Sequence, residues 1–127
     1  MHLASIPLVL VVDDDTRTAR RLAQLLREDG YAVEVAGDGA AAVGRLSRLP
    51  FPDVLITDMQ LPHVDGGAVA RYARAESPDI RVFFVTGHPQ LAPARLSGAG
   101  ANAVVFTKPL DYAALRTELD RQCPVTS

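Results

Sequence analysis

Three things are scarce in this 127-residue sequence, and each scarcity closes off a class of function. Cysteine is the first. The single thiol, Cys123, stands four residues from the C-terminus with neither a partner nor a ligand-like neighbour. That excludes disulfide frameworks and thiolate zinc sites and fits a reducing compartment. Positive charge is the second: thirteen basic residues against fifteen acidic ones leave a net charge of −2. Such a balance supplies no field for gripping nucleic acid or an anionic membrane. The third is a long apolar run. The opening MHLASIPLVLVV is too short to span a bilayer, has no basic leader and runs directly into acidic residues. The sequence therefore predicts a soluble cytoplasmic protein.

What is present is an alternation of apolar runs and helical patterns, in a length that suits one domain around one core. Leu8 to Val12, Val54 to Ile56, Val82 to Val85 and Ala103 to Phe106 are unbroken apolar runs, as expected of parallel strands covered on both faces. Tyr31 to Val35 carries Glu34 and reads as an edge strand. Between strands, Ala19, Leu22, Ala23 and Leu26 recur at helical spacing opposite Arg17, Arg21, Gln24 and Glu28, with Gly30 as the stop. Asp38 is placed to cap a helix through Val43, Leu46 and Leu49, which Pro50 and Pro52 end. Asp65 is placed to cap one through Val69, Ala70 and Ala73, and Asp111 one through Leu115 and Leu119. The segment PQLAPARLSGAG predicts only a short or mobile helix, because Pro93 interrupts it and two glycines follow. Five strands alternating with helices give a doubly wound α/β domain with helices on both faces of a parallel sheet.

In such a sheet the site lies beyond the carboxyl ends of the strands. The residues there are Asp13 and Asp14, then Asp58, Thr86 and Lys108. Singly, each has a bland reading: Asp15 as a helix cap, Asp58 as a turn residue, Thr86 as a strand-end hydroxyl, Lys108 as a surface cation. Together they converge on one crevice. Three carboxylates in one place retain protons unless a cation intervenes, and oxygen ligands without histidine or cysteine favour Mg2+. An aspartate beside such a metal can attack phosphorus, while an ammonium and a hydroxyl stabilise the phosphoryl oxygens. His63 reads as a loop side chain, Gly66 and Gly67 as turn glycines, Tyr72 and Tyr112 as helix packing.

The stretches VLVVDDD, DVLITDMQLPHVDG, VFFVTGH and FTKPL, in this order over nearly the whole chain, resemble the receiver domain of two-component response regulators. The resemblance implies a flavodoxin-like sheet of strand order 2-1-3-4-5 and a single receiver domain over 1–127, its core over about 7–122, with no output domain. It implies Asp58 as phosphoacceptor, Asp13 and Asp14 as the acidic metal pair, the Gln60 carbonyl as a further Mg2+ ligand, Thr86 as switch hydroxyl and Lys108 as phosphate contact. A histidine kinase or histidine phosphotransfer protein is then the donor, and a downstream protein or fused output domain the recipient. Neither nucleic acid nor membrane is a direct partner; homodimerisation is neither supported nor excluded. The chain departs from the family at Val105, where receivers carry tyrosine or phenylalanine three residues before the lysine, and at Gly87, commonly alanine. By strand alternation Phe106 faces away from the missing ring's side.

Rival readings meet specific obstacles. A flavodoxin-like nucleotide-binding module needs a glycine- or hydroxyl-rich first loop, and DDDTRT repels phosphate. A metal-dependent aspartyl phosphatase needs a lid or cap to select substrate, so turnover is expected only of the domain's own phosphate. A receiver without phosphorylation sits badly with the complete acidic, threonine and lysine set.

Overall fold

Period-two alternation along five strands divides the interior into two layers of side chains. The computed structural model describes residues 6–92 and 103–123. Strands β1 (Leu8–Val12), β2 (Ala32–Ala36), β3 (Val54–Asp58), β6 (Arg81–Thr86) and β7 (Val104–Thr107) form one parallel sheet, ordered β2-β1-β3-β6-β7. The remaining pair, β4 (Gln60–Leu61) and β5 (Val64–Asp65), is a short antiparallel hairpin that the apolar pattern did not announce. Leaving it aside, the order is the 2-1-3-4-5 implied by the family.

Helices α1 (Thr16–Glu28), α2 (Gly39–Leu46), α3 (Gly66–Glu76) and α4 (Tyr112–Gln122) cover the two faces. Val9, Val11, Ile56, Phe83 and Val85 pack with Leu22, Leu26, Leu115 and Leu119, the buried stripes of α1 and α4. Leu10, Val12, Leu55, Val82 and Phe84 pack on the opposite face with Leu46, Val69, Ala70 and Ala73 from α2 and α3. Successive strand residues thus serve different layers, which is why residues 8–12, 54–56 and 82–85 are apolar at every position. Val105 joins the α2–α3 side and Phe106 the α1–α4 side, where its ring lies 6.0 Å from that of Phe83.

An aspartate caps each of the four α-helices among the described residues. Asp15 accepts from the N–H groups of Arg17 and Thr18, Asp38 from Ala41, Asp65 from Ala68 and Asp111 from Ala114. The side-chain oxygen satisfies donors that have no partner inside the helix. The second helix is shorter than its apolar spacing predicts. It ends at Leu46, and Leu49 stands 75% exposed in the following loop. Buried Arg45 accounts for the change of direction: its guanidinium donates to the carbonyls of Arg48 (3.0 Å) and Pro50 (2.7 Å) while pairing with Glu34 of the edge strand (2.7 Å). Beyond β6, Pro89–Leu91 makes one 3₁₀ turn, and the rest of the short helix expected from PQLAPARLSGAG lies outside the described residues. No described helix is long and apolar enough to cross a membrane.

Candidate functional site

Parallel pairing puts the carboxyl ends of β1, β3, β6 and β7 on one rim. Asp58 is the last residue of β3 and Thr86 the last of β6, while Asp13 and Lys108 stand one place beyond β1 and β7. Backbone bonds continue past the strand ends and fix the rim: Asp13 N–H donates to the Ala36 carbonyl (3.2 Å), Met59 N–H to Val85 (2.9 Å) and Lys108 N–H to Thr86 (2.8 Å). The ladder therefore sets the relative heights of the candidate side chains.

Asp13, Asp14 and Asp58 each present a carboxylate oxygen within 4.8 Å of the others. Asp13 and Asp58 are buried, and Asp14 is exposed. One Asp58 oxygen accepts the Lys108 ammonium at 2.6 Å and the other the Gln60 N–H at 3.0 Å. Lys108 is the only lysine in the sequence. Asp13, Asp58 and Lys108 line one cleft of about 570 Å3, walled by α1 on one side and by Pro109, Leu110 and Tyr112 on the other. Thr86 is buried beside this group but not among the cleft's walls, and its hydroxyl accepts the His88 N–H at 2.9 Å. His63 is an exposed loop residue with φ of 69° and is not a member of the acidic cluster.

The charges are deliberately out of balance. Burial, and next the repulsion of Asp58 and Asp14, holds the Asp13 carboxyl above the usual range, against the Asp15 N–H bond and the Lys108 charge that lower it. Burial also works against the Lys108 ammonium. The bond to Asp58 and the attraction of three carboxylates outweigh it, and its pKa is raised. One ammonium among three carboxylates leaves a net negative pocket of hard oxygen donors. That donor set suits a divalent cation of the Mg2+ type.

Asp15 proves to be the bland case, a cap whose carboxylate also accepts the Thr18 hydroxyl at 2.9 Å. Gly66 is more than a turn glycine: a Cβ there would fall 2.3 Å from the Asp58 carbonyl oxygen. Its N–H donates to the Met59 carbonyl at 2.7 Å, so α3 starts directly against the backbone that carries Asp58. Sequence spacing carries no sign of this approach. Arg45 was also overlooked; the available signal was an unpaired Glu34 on a strand and an arginine beside the buried stripe of α2. Tyr72 and Tyr112 do pack, as expected, but each hydroxyl also ties two helical regions, to Ser47 and Asp29 respectively.

Comparison with known proteins agrees with the geometry. The family model described as response regulator receiver domain matches residues 9–120. The response regulator receiver protein CpdR of Brucella abortus is 34% identical over 113 residues, covering 89% of this chain and 93% of that protein. The response regulator MprA of Mycobacterium leprae is 34% identical over 95 residues, 75% of this chain but only 41% of that longer protein. A CheY-like receiver domain from Methanospirillum hungatei superposes with a TM-score of 0.80 at 28% identity, covering 93% of this chain and 97% of that one. A Burkholderia pseudomallei response regulator, solved with a phosphorylated aspartic acid, calcium ion and citrate, gives 0.77 at 25% identity over 87% of this chain and 65% of that one. The chain belongs to the response regulator receiver domains, the phosphorylation-dependent signalling modules of two-component systems.

Proposed function

We propose that Asp58 accepts a phosphoryl group from a phosphohistidine of a histidine kinase or histidine phosphotransfer protein, in a Mg2+-dependent reaction that alters binding to a downstream protein or fused output domain. The observation that carries this reading is the Asp13–Asp14–Asp58 cluster with Lys108 bonded to Asp58. Receiver domains generally bind Mg2+ at an acidic pocket, and the all-oxygen donor set here fits it. Asp13, Asp14, Asp58 and the Gln60 carbonyl would hold the cation. When bound, it neutralises charge that the three carboxylates and an incoming phosphoryl group would otherwise oppose.

The remaining steps belong to the chain's own residues. An Asp58 oxygen forms the bond to phosphorus as the phosphorus–nitrogen bond to imidazole breaks, and the imidazole keeps the electron pair and takes up a proton. Lys108 exchanges one carboxylate oxygen for a phosphoryl oxygen, preserving its ion pair. Thr86 gives up the His88 N–H and turns its O–H to the new dianion. The loops after β3 and β6 follow these two side chains and shift the population of binding surfaces. Water later hydrolyses the acyl phosphate, so the domain turns over only its own modification. The Burkholderia structure, with a phosphorylated aspartate and a divalent cation, supports the same pairing here.

Incubation with a small acyl-phosphate donor and Mg2+, followed by intact-protein mass spectrometry, tests the assignment. A single phosphoryl adduct is expected, lost in Asp58→Ala and on chelation of the metal. An adduct that persists in Asp58→Ala overturns it.

A further inference from the structure

Leu49 is out of place. Among the described residues five large apolar side chains are exposed, and Leu49 is the most exposed of them. A free loop would make that ordinary, but this one is pinned. Buried Arg45 donates to the carbonyls on either side of it, that of Arg48 and that of Pro50, so both turn inward while the leucine is left in water. The helix before this loop is equally unusual. On α2, Ala40, Ala41 and Gly44 are exposed and uncharged, whereas a surface helix normally turns charges to solvent. Gly44 answers no need inside the molecule: its φ is not positive, nothing lies within 4 Å of where its Cβ would stand, and glycine weakens a helix interior relative to alanine. Both ends of the helix are held. At the start, a Cβ on Gly39 would fall 2.0 Å from Val64 Cγ1 of the β4–β5 hairpin, and at the end stands Arg45. A fixed apolar face needs little ordering on binding.

Two charges decide what fits there. From residue 37 to residue 52 the only exposed charged residues are Asp38, the N-cap of α2, and Arg48, just past its C-terminal end. Arg48 makes one long bond, 3.4 Å to the Gly44 carbonyl, and its charge reaches Glu34 through space. A second α2 laid antiparallel brings Asp38 of each copy to Arg48 of the other and sets the two helix dipoles head to tail. The same register places Leu49 opposite Gly37 and Gly44 beside the twofold axis, and both glycines have open space where a Cβ would stand. The face is thus its own complement, as a twofold contact requires. A partner helix with charges of one sign would be repelled by Asp38 or by Arg48.

We infer that two copies of this chain associate through antiparallel α2 helices, Leu49 of each seated over Gly37 and Ala40 of the other and Asp38 paired with Arg48 across the axis. The contact is small, so the dimer is weak and reversible, with a dissociation constant on the order of 0.1 mM. It uses none of Asp13, Asp58, Thr86 and Lys108, and stands independently of the phosphoacceptor reading.

Sedimentation equilibrium and an NMR dilution series of the full chain, from about 0.02 to about 2 mM, test the inference. A monomer–dimer equilibrium is expected, with the largest concentration-dependent amide shifts between residues 37 and 50. Leu49→Ser and Gly44→Gln alter exposed positions and keep the monomer folded by circular dichroism, yet each should weaken the dimer about tenfold or more. Arg48→Glu should weaken it as well, and added salt should narrow the gap between that variant and the unaltered chain. Leu91→Ser, at another exposed apolar residue, should leave association unchanged. A chain that stays monomeric at the highest concentration, a dimer indifferent to either Leu49→Ser or Gly44→Gln, or a dimer lost in Leu91→Ser overturns the inference. Acyl-phosphate labelling tests the phosphoacceptor reading separately, so each can fail without the other.

Discussion

Charge is handled in opposite ways at the rim of the sheet and on the flank between α1 and α4. At the rim, three carboxylates bring oxygens within 4.8 Å of one another, one of them bonded to an ammonium, and burial together with their repulsion holds Asp13 above its ordinary pKa. On the flank, the Tyr31 hydroxyl donates to Asp120 (2.5 Å) and that of Tyr112 to Asp29 (2.6 Å). Arg116 bridges both acids, at 3.2 and 3.4 Å. Burial, and then these bonds, push both phenols above their usual range, so they stay neutral donors. A region built for stability closes its hydrogen bonds internally. One built to receive a cation and an anion leaves its charges unresolved until they arrive.

A divalent cation separates the two regions most sharply. Mg2+ at a hundred times its dissociation constant is expected to stabilise the fold by about 2.7 kcal/mol, read as a shift of the urea midpoint. Asp14→Asn removes most of that gain. A cation-independent midpoint would place the rim with the flank. The flank should respond in the opposite manner: Asp29→Ala costs about 2 kcal/mol, by loss of the Tyr112 bond and the Arg116 ion pair, with or without Mg2+.

Removing a charge from the rim should help where removing one from the flank hurts. Asp13→Asn without divalent cation is expected to raise stability by about 1 kcal/mol, since it ends both desolvation and repulsion of that carboxylate. A loss there would mean that the Asp15 N–H bond outweighs both. The smallest effect belongs to Glu34 and Arg45, an intermediate case in which a buried cation meets a half-exposed anion. The bond from Arg45 lowers the Glu34 pKa below 4.5, so its stabilisation is complete above about pH 4.5 and is lost as the pH falls through the depressed value. Glu34 is 45% exposed and screened, so the contribution is under about 1 kcal/mol. Glu34→Gln should flatten that part of the acid-unfolding curve.

How much was legible depended on the range of the interaction. Strands β1, β3 and β6 were readable because both faces are buried and each holds an unbroken apolar run, 8–12, 54–56 and 82–85; the β4–β5 hairpin, two residues to a strand, is too short to leave a pattern. The caps at Asp38, Asp65 and Asp111 were readable because capping is settled within four residues. Leu49 misled because a helical spacing says nothing about Arg45 drawing the following carbonyls inward. Of the candidate site, Asp13, Asp58 and Lys108 stood out as polar residues at the ends of apolar runs. Gly66 did not, since its neighbour is a carbonyl eight residues earlier.

The sequence by itself determined the alternating α/β order, the caps and the strand ends at which charged side chains stop the apolar runs, because each is fixed by periodicity or by neighbours within a turn. Tertiary structure alone decided that the Lys108 ammonium meets Asp58 at 2.6 Å across fifty residues, that Gly66 must lack a side chain, and that α4 is bonded to Asp29 and Tyr31. Those contacts depend on strand register and helix position, which the packing of the whole core sets and no local stretch contains.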